Sequence, residues 1–252
     1  MSEGTRRPMV VSRIWVQGLA ITFLVGFAIL GYLALRVHED HAPVPGKVVD
    51  EAGNVLTTRD EILHGQEAFL TYGLMQFGSV YGHGAYLGPD FTADYLHRQA
   101  ELMRGYQGGG AEAEERVRLE LQTNRYNRDT DTLIWTEGQR RAFRELVAHY
   151  RDEFLNRKQS GAGLGPNAIP DAEECRRITA FIAWTAWTAS ARRPGHDYSY
   201  TNGWPPEPLV GNHLTKDAVV WSVLSLIALL GGNRAVDGGL RSVPPPARVA
   251  RN

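Results

Sequence analysis

The sequence has a single cysteine, Cys175, among its 252 residues. An intrachain disulfide is therefore excluded, a cysteine-based zinc site is disfavoured, and no C-x-x-C-H is present to hold a haem c covalently. A lone cysteine of this kind is read as a small buried apolar side chain. An excess of charge of either sign is also lacking: 27 Lys plus Arg stand against 28 Asp plus Glu. Without a basic face, nothing points to nucleic acid. Three catalytic signatures are missing as well: G-x-S-x-G, a phosphate-binding glycine loop and H-E-x-x-H. The eight histidines (His38, His41, His64, His83, His97, His149, His196 and His213) are scattered without tight metal spacing. His38 and His41 read as a solvated pair, and His83 as a residue held by a structural hydrogen bond. No repeat of 20–50 residues is apparent.

Aromatic residues and long apolar runs are abundant by contrast. Aromatics make up 10% of the chain and include six Trp, which suits a protein that meets a membrane surface. Ile14 to Leu35 reads IWVQGLAITFLVGFAILGYLAL, without a charge. About 20 apolar residues cross a hydrocarbon core, and the run is longer than the apolar region of a cleaved signal peptide. We read residues 14–36 as an uncleaved transmembrane anchor. Arg6, Arg7 and Arg13 precede it, whereas Arg36 is followed by Glu39 and Asp40. The positive-inside rule then puts 1–13 in the cytoplasm and the domain beyond the anchor on the far side, the periplasm in a bacterium. Trp15 and Tyr32 stand near the two ends, at headgroup level.

Residues 37–216 form the extramembrane domain. His41–Gly53 reads as a linker with a short strand at Lys47–Val49. A helix opens near Thr58, capped by Thr57 or Thr58, and runs to about Tyr72. Gly73–Asp90, GLMQFGSVYGHGAYLGPD, carries five glycines among aromatics and predicts a tight backbone path. Helices are predicted over Phe91–Arg104 and Ala111–Leu121, separated by three consecutive glycines. A small hairpin follows over Thr123–Trp135. Thr136-Glu137-Gly138-Gln139 fits a capping box opening a helix to about Lys158. After a loop at Gly161–Pro170, Asp171 caps a helix to about Arg192. Its second half is apolar nearly all round, as in a core element or one pressed on a partner. Arg193–Lys216 is irregular, and its Tyr198, Tyr200 and Trp204 suit a membrane or partner surface.

Ala218–Leu230, AVVWSVLSLIALL, starts like a second membrane helix over 217–232 and breaks at Gly231-Gly232. The tail 233–252, with three consecutive prolines and four arginines, reads as disordered. Either the short helix is genuine and partly inserted, or the reading frame is lost near Gly232. The second explanation is favoured.

The stretches GSVYGHGAYLGPDFTADYLHR (Gly78–Arg98) and YSYTNGWPPEPLVGN (Tyr198–Asn212) resemble the N-terminal region of quinol-dependent nitric oxide reductases. The order of membrane helix, extramembrane domain and entry to a further helix matches too. The resemblance implies a mainly α fold with a small β-hairpin: a cytochrome c-like extramembrane domain on an N-terminal transmembrane helix. In the related cytochrome-dependent enzymes a C-x-x-C-H precedes a G-x-G-A-Y segment. Here Gly82-His83-Gly84-Ala85-Tyr86 matches the segment, while Leu74, Phe77 and Gly78 stand where the haem motif would fall. The implied domain is therefore haem-less. Gly84 and Tyr86 could, by the same resemblance, offer carbonyl oxygens to a calcium at the interface with the catalytic part. No catalytic or haem-binding residue is assigned within the chain.

In the complete family enzyme haem b, non-haem iron and calcium serve a multi-helix catalytic part that takes electrons from quinol and turns NO into N₂O. The chain is expected to stop before that part and to be inactive alone. Its role would be to pack on a catalytic part supplied by another chain, at the bacterial inner membrane. The alternative is a free-standing, membrane-tethered periplasmic sensor or binding domain.

Overall fold

The computed structural model describes residues 13–156, 164–165 and 167–241. The expected cytoplasmic segment falls, but for Arg13, outside these residues. The chain divides into two units, Met1–Pro43 and Val44–Asn252.

The first unit holds α1 (Arg13–Asp40). Its stretch Val16–Val37 is long and apolar enough to cross a membrane, and none of it is buried by protein. An apolar surface on every side of a helix is stable in lipid and costly in water. Thr22, a polar residue within it, donates its hydroxyl to the Gly18 carbonyl at 2.9 Å and so leaves no unmet donor.

The second unit is mainly α. Its helices are α2 (Arg59–Thr71), α3 (Phe91–Tyr106), α4 (Gly110–Gln122), α5 (Glu137–Arg151), α6 (Ala172–Ser190) and α7 (Lys216–Arg241). Capping explains where four of them start. Thr58 and Thr136 each form a capping box, with Glu61 and Gln139, and Asp90 and Asp171 cap α3 and α6 by accepting backbone N–H groups. α5 does not continue regularly to Lys158: at Asp152–Asn156 it widens into a π-helical turn. Residues 157–163 lie outside those described.

The hairpin β3 (Tyr126–Asn127) and β4 (Thr132–Trp135) is joined by a second, β1 (Lys47–Asp50) and β2 (Val55–Thr58). Together they form a four-stranded mixed sheet in the order β2-β1-β4-β3. β1 runs parallel to β4, pairing Val48 with Leu133 and Asp50 with Trp135. The expected linker thus contributes structure: Asp50 turns the chain by accepting from the Ala52 and Asn54 amides at 3.0 and 2.8 Å.

α6 is the centre of the core. Thirteen of its residues are buried, which settles the choice left open by its apolar second half in favour of a core element. α2 crosses it so closely that a Cβ on Gly65 would overlap the Arg177 carbonyl and approach the Ile178 nitrogen to 3.1 Å. Rings fill the space beside this crossing: Phe69 meets Phe91 edge-on at 5.2 Å and Phe181 at 5.6 Å, and Tyr150 stacks on Phe154 at 5.9 Å. Cys175 is fully buried, and burial pushes its thiol up to about 11.

α7 departs from expectation at its far end. It passes through Gly231-Gly232 and the first part of the predicted tail to reach Arg241. A glycine costs a helix about 1 kcal/mol but, unlike proline, keeps its N–H and fits without a clash. The remainder of the tail, 242–252, lies outside the described residues. From Val219 to Leu230 the large apolar side chains of α7 are exposed.

Candidate functional site

The two sequence stretches that carry the resemblance meet in space. Their junction is a glycine-rich loop, 77–90, pinned from below by α3 and α6 and from the side by the irregular segment after α6.

Asp90 organises the loop. One carboxylate oxygen accepts from the Ala93 amide at 2.8 Å and caps α3; the other accepts from Ser79 Oγ at 2.8 Å and the Gly82 amide at 2.7 Å. Ser79 Oγ in turn accepts from the Gly84 amide at 2.7 Å. One aspartate thereby links a helix start to the loop above it. The loop closes on itself so tightly that side chains are excluded at several points. A Cβ on Gly82 would lie 2.6 Å from Ser79 Oγ, and one on Gly88 2.6 Å from the Phe77 carbonyl. Gly84 has φ of +78°, a conformation that favours glycine.

Beneath the loop runs a buried series of hydroxyls. Tyr81 donates to Thr188 Oγ1 at 2.5 Å, since the Thr188 proton is committed to the Thr185 carbonyl at 2.8 Å. Thr92 donates to Thr185 Oγ1 at 3.0 Å and accepts from the Tyr81 amide at 3.3 Å. Burial pushes the Tyr81 hydroxyl well above its ordinary range, so it serves as a neutral donor.

The second stretch locks the loop from the side. Trp204 Nε1 donates to the carbonyls of Tyr81 and Gly82 at 3.0 and 3.2 Å, and His83 sets its ring edge-on to Trp204 at 4.5 Å. Glu207 is buried; it pairs with His97 Nδ1 at 3.2 Å and accepts from the Leu209 amide at 3.1 Å. One expectation is corrected here. His83 makes a ring contact and, among the described residues, no hydrogen bond. Tyr200 and Trp204, both half-buried, pack within the domain: Tyr200 on Trp187 at 5.5 Å and Trp204 on the loop. The irregular segment has no repeating backbone ladder, so its aromatics supply the cohesion.

With its base fixed, the tip projects. The Ala85 amide donates to the Gly88 carbonyl at 2.9 Å, and between them the Tyr86 side chain stands at 102% exposure with Leu87 beside it. Among the described residues the carbonyls of Gly84 and Tyr86 accept no hydrogen bond. They are oxygen donors of the kind calcium takes, but two of the six to eight it requires. No group of three or more His, Cys, Asp or Glu among the described residues could hold a metal ion.

The residues below the loop do not fit a covalently attached haem c. Leu74 is 0% exposed and belongs to the core. Phe77 packs against that core. Gly78, at the place of a proximal histidine, has no room for any side chain: a Cβ would overlap the Pro89 carbonyl and come within 2.8 Å of the Phe91 ring. A cleft of about 290 Å³ remains between Phe77, Leu87, Phe91, Arg98, His149 and Glu153. That is at the lower limit of ligand-pocket volumes, roughly 300 Å³. Its charged wall is internally satisfied, because Asp94 accepts from Tyr150 and from Arg98, both at 2.9 Å.

Fold and loop define a class: a mainly α domain, preceded by an apolar helix of membrane-spanning length, that presents a tip built of backbone groups. The chain belongs to the family of the cytochrome c-like domain of the nitric oxide reductase NorB, whose family model matches residues 45–206. No curated protein sequence matches it significantly.

Proposed function

We propose that this chain provides the extramembrane, haem-less domain of a quinol-dependent nitric oxide reductase and packs, by the 82–86 tip, on the enzyme's catalytic multi-helix part. The observation that carries this reading is the fully exposed Tyr86 on a loop that is otherwise closely hydrogen-bonded. An exposed aromatic on a rigid base gives contact area at little entropic cost, as interface anchors do. The free carbonyls of Gly84 and Tyr86 supply two oxygens to a calcium completed by the partner surface.

The reaction of the complete enzyme is 2 NO + 2 e⁻ + 2 H⁺ → N₂O + H₂O. Haem b and non-haem iron in the catalytic part supply the redox chemistry, and quinol in the membrane supplies electrons. The domain holds no redox group in this scheme; its residues position the tip and cover the catalytic part. α1 anchors it in the bacterial inner membrane with the N-terminus in the cytoplasm and the domain in the periplasm, and α7 begins a second passage.

The test is co-purification. The chain, tagged at its N-terminus, is extracted gently from native membranes, and the reduced-minus-oxidised spectrum of the eluate is recorded. Haem b bands with the native chain, reduced several-fold with Tyr86→Ser, support the proposal. A haem-free eluate, or bands unaffected by Tyr86→Ser, overturns docking through the tip.

A further inference from the structure

At the root of α7 lies a polar cleft of about 450 Å³, formed by the end of α6, the irregular segment and the first residues of α7. Four charged side chains line it: Arg192, Lys216, Asp197 and Asp217. They are two cations and two anions in one cleft, yet among the described residues none of them makes an ion pair. Elsewhere on this domain opposite charges do pair, as Arg98 with Asp94, Arg104 with Glu114 and Arg176 with Glu173. Arg192 is held in place differently, by its own amide to the Gln122 carbonyl at 2.9 Å and its guanidinium to Gln122 Oε1 at 2.7 Å. The hydrogen bond to a neutral amide fixes the cation without neutralising it.

The position of the cleft is the second observation. Lys216 and Asp217 are the first two residues of α7. The next turns, Val219 to Leu230, carry apolar side chains exposed to the surroundings. Such a helix is satisfied in hydrocarbon, and with α7 in a bilayer the cleft at its root would lie at the level where hydrocarbon ends and lipid headgroups begin.

We infer that this cleft binds the headgroup of a phosphatidylethanolamine, its phosphodiester held by Arg192 and Lys216 and its ammonium by Asp197 and Asp217. The chemistry discriminates among headgroups. A primary ammonium has three N–H donors for the two carboxylates, forming charge-assisted hydrogen bonds. A choline headgroup has none. A glycerol headgroup satisfies the cations but leaves both carboxylates without a counter-charge. The inference rests on α7 entering the bilayer and needs no catalytic partner, so its failure would leave docking through Tyr86 standing.

Native mass spectrometry of the full chain tests it, in detergent micelles doped with equal fractions of phosphatidylethanolamine, phosphatidylcholine and phosphatidylglycerol. We expect phosphatidylethanolamine adducts to exceed each of the others by about tenfold, the value of one charged hydrogen bond. Asp197→Asn with Asp217→Asn should bring phosphatidylethanolamine down to the level of phosphatidylglycerol. Arg192→Gln with Lys216→Gln should remove both adducts. These side chains are exposed, and unchanged circular dichroism checks that each variant folds. Equal retention of the three lipids, or insensitivity to both double variants, overturns the inference. Water-soluble glycerophosphoethanolamine bound as well as the lipid would overturn the membrane source.

Discussion

Single residues decide whether the loop holds its shape. Trp204→Phe keeps a ring against His83 but removes the indole N–H that two carbonyls share. We expect a loss of about 1–2 kcal/mol, read as a fall in Tm of about 2–8 °C for a domain of this size. No change in Tm would mean that water replaces the indole at no cost. Glu61 offers a pH signature. Desolvation raises its carboxyl, but Arg176, Thr57 and the Thr58 amide outweigh that and hold it below its ordinary 4.5. A carboxyl depressed in the folded state contributes stability above its unfolded value, and this is lost as pH falls through the folded one. Glu61→Gln should therefore lower the urea midpoint at pH 7, and the gap to the native chain should narrow as pH falls below 4.5. A constant gap across that range would contradict the assignment. At this scale the sequence was most legible where chemistry is local: the Thr136–Gln139 box and the Asp171 cap are written in four residues or fewer. The Trp204 bond to Tyr81 and Gly82 was not legible, because no local pattern records a contact across 122 residues or more.

Elements succeed or fail by how closely they approach. α2 and α6 touch backbone to backbone at Gly65, so Gly65→Ala should cost about 1–3 kcal/mol, the range for over-packing a core. Gly105, inside α3, has nothing within 4 Å of the place a methyl group would take, and no positive φ. There, Gly105→Ala should gain about 0.4–1 kcal/mol through the unfolded chain. Chemical denaturation of the two variants side by side checks both signs; equal effects would show that helix propensity, not the crossing, sets the outcome. Periodicity revealed five of the extramembrane helices to within a few residues. It missed β2, since Val55–Thr58 is four residues long and its partner β1 sits in a proline-flanked stretch that reads as linker. It also ended α7 too early at Gly231-Gly232, because glycine weakens a helix without removing a hydrogen bond.

For the whole molecule, orientation is the quantity to measure. Cys175 is buried, and its thiol, pushed up to about 11, is almost wholly protonated at pH 7. The native cysteine should be silent to a membrane-impermeant maleimide, which makes the chain its own background for labelling. Glu51→Cys, on the exposed turn after β1, should label in cells whose outer membrane alone is permeabilised. Labelling that requires the inner membrane to be opened would reverse the orientation. The anchor was legible because an uncharged apolar run needs only counting. The candidate site was half legible: the Gly84 and Tyr86 tip stood out by its resemblance, whereas its foundations in Asp90, Thr188 and Trp204 depend on tertiary contacts.

The crowding at Gly78 has a consequence for what this scaffold can become. Restoring thiols at Leu74 and Phe77 and an imidazole at Gly78 would recreate the letters of a haem-attachment motif without recreating its seat, since the histidine would have to displace both the Pro89 carbonyl and the Phe91 ring. Expressed with a cytochrome c maturation system, such a triple variant should emerge colourless. Three codons would not be enough to make a pigmented form; the roof of the loop would have to be rebuilt at the same time.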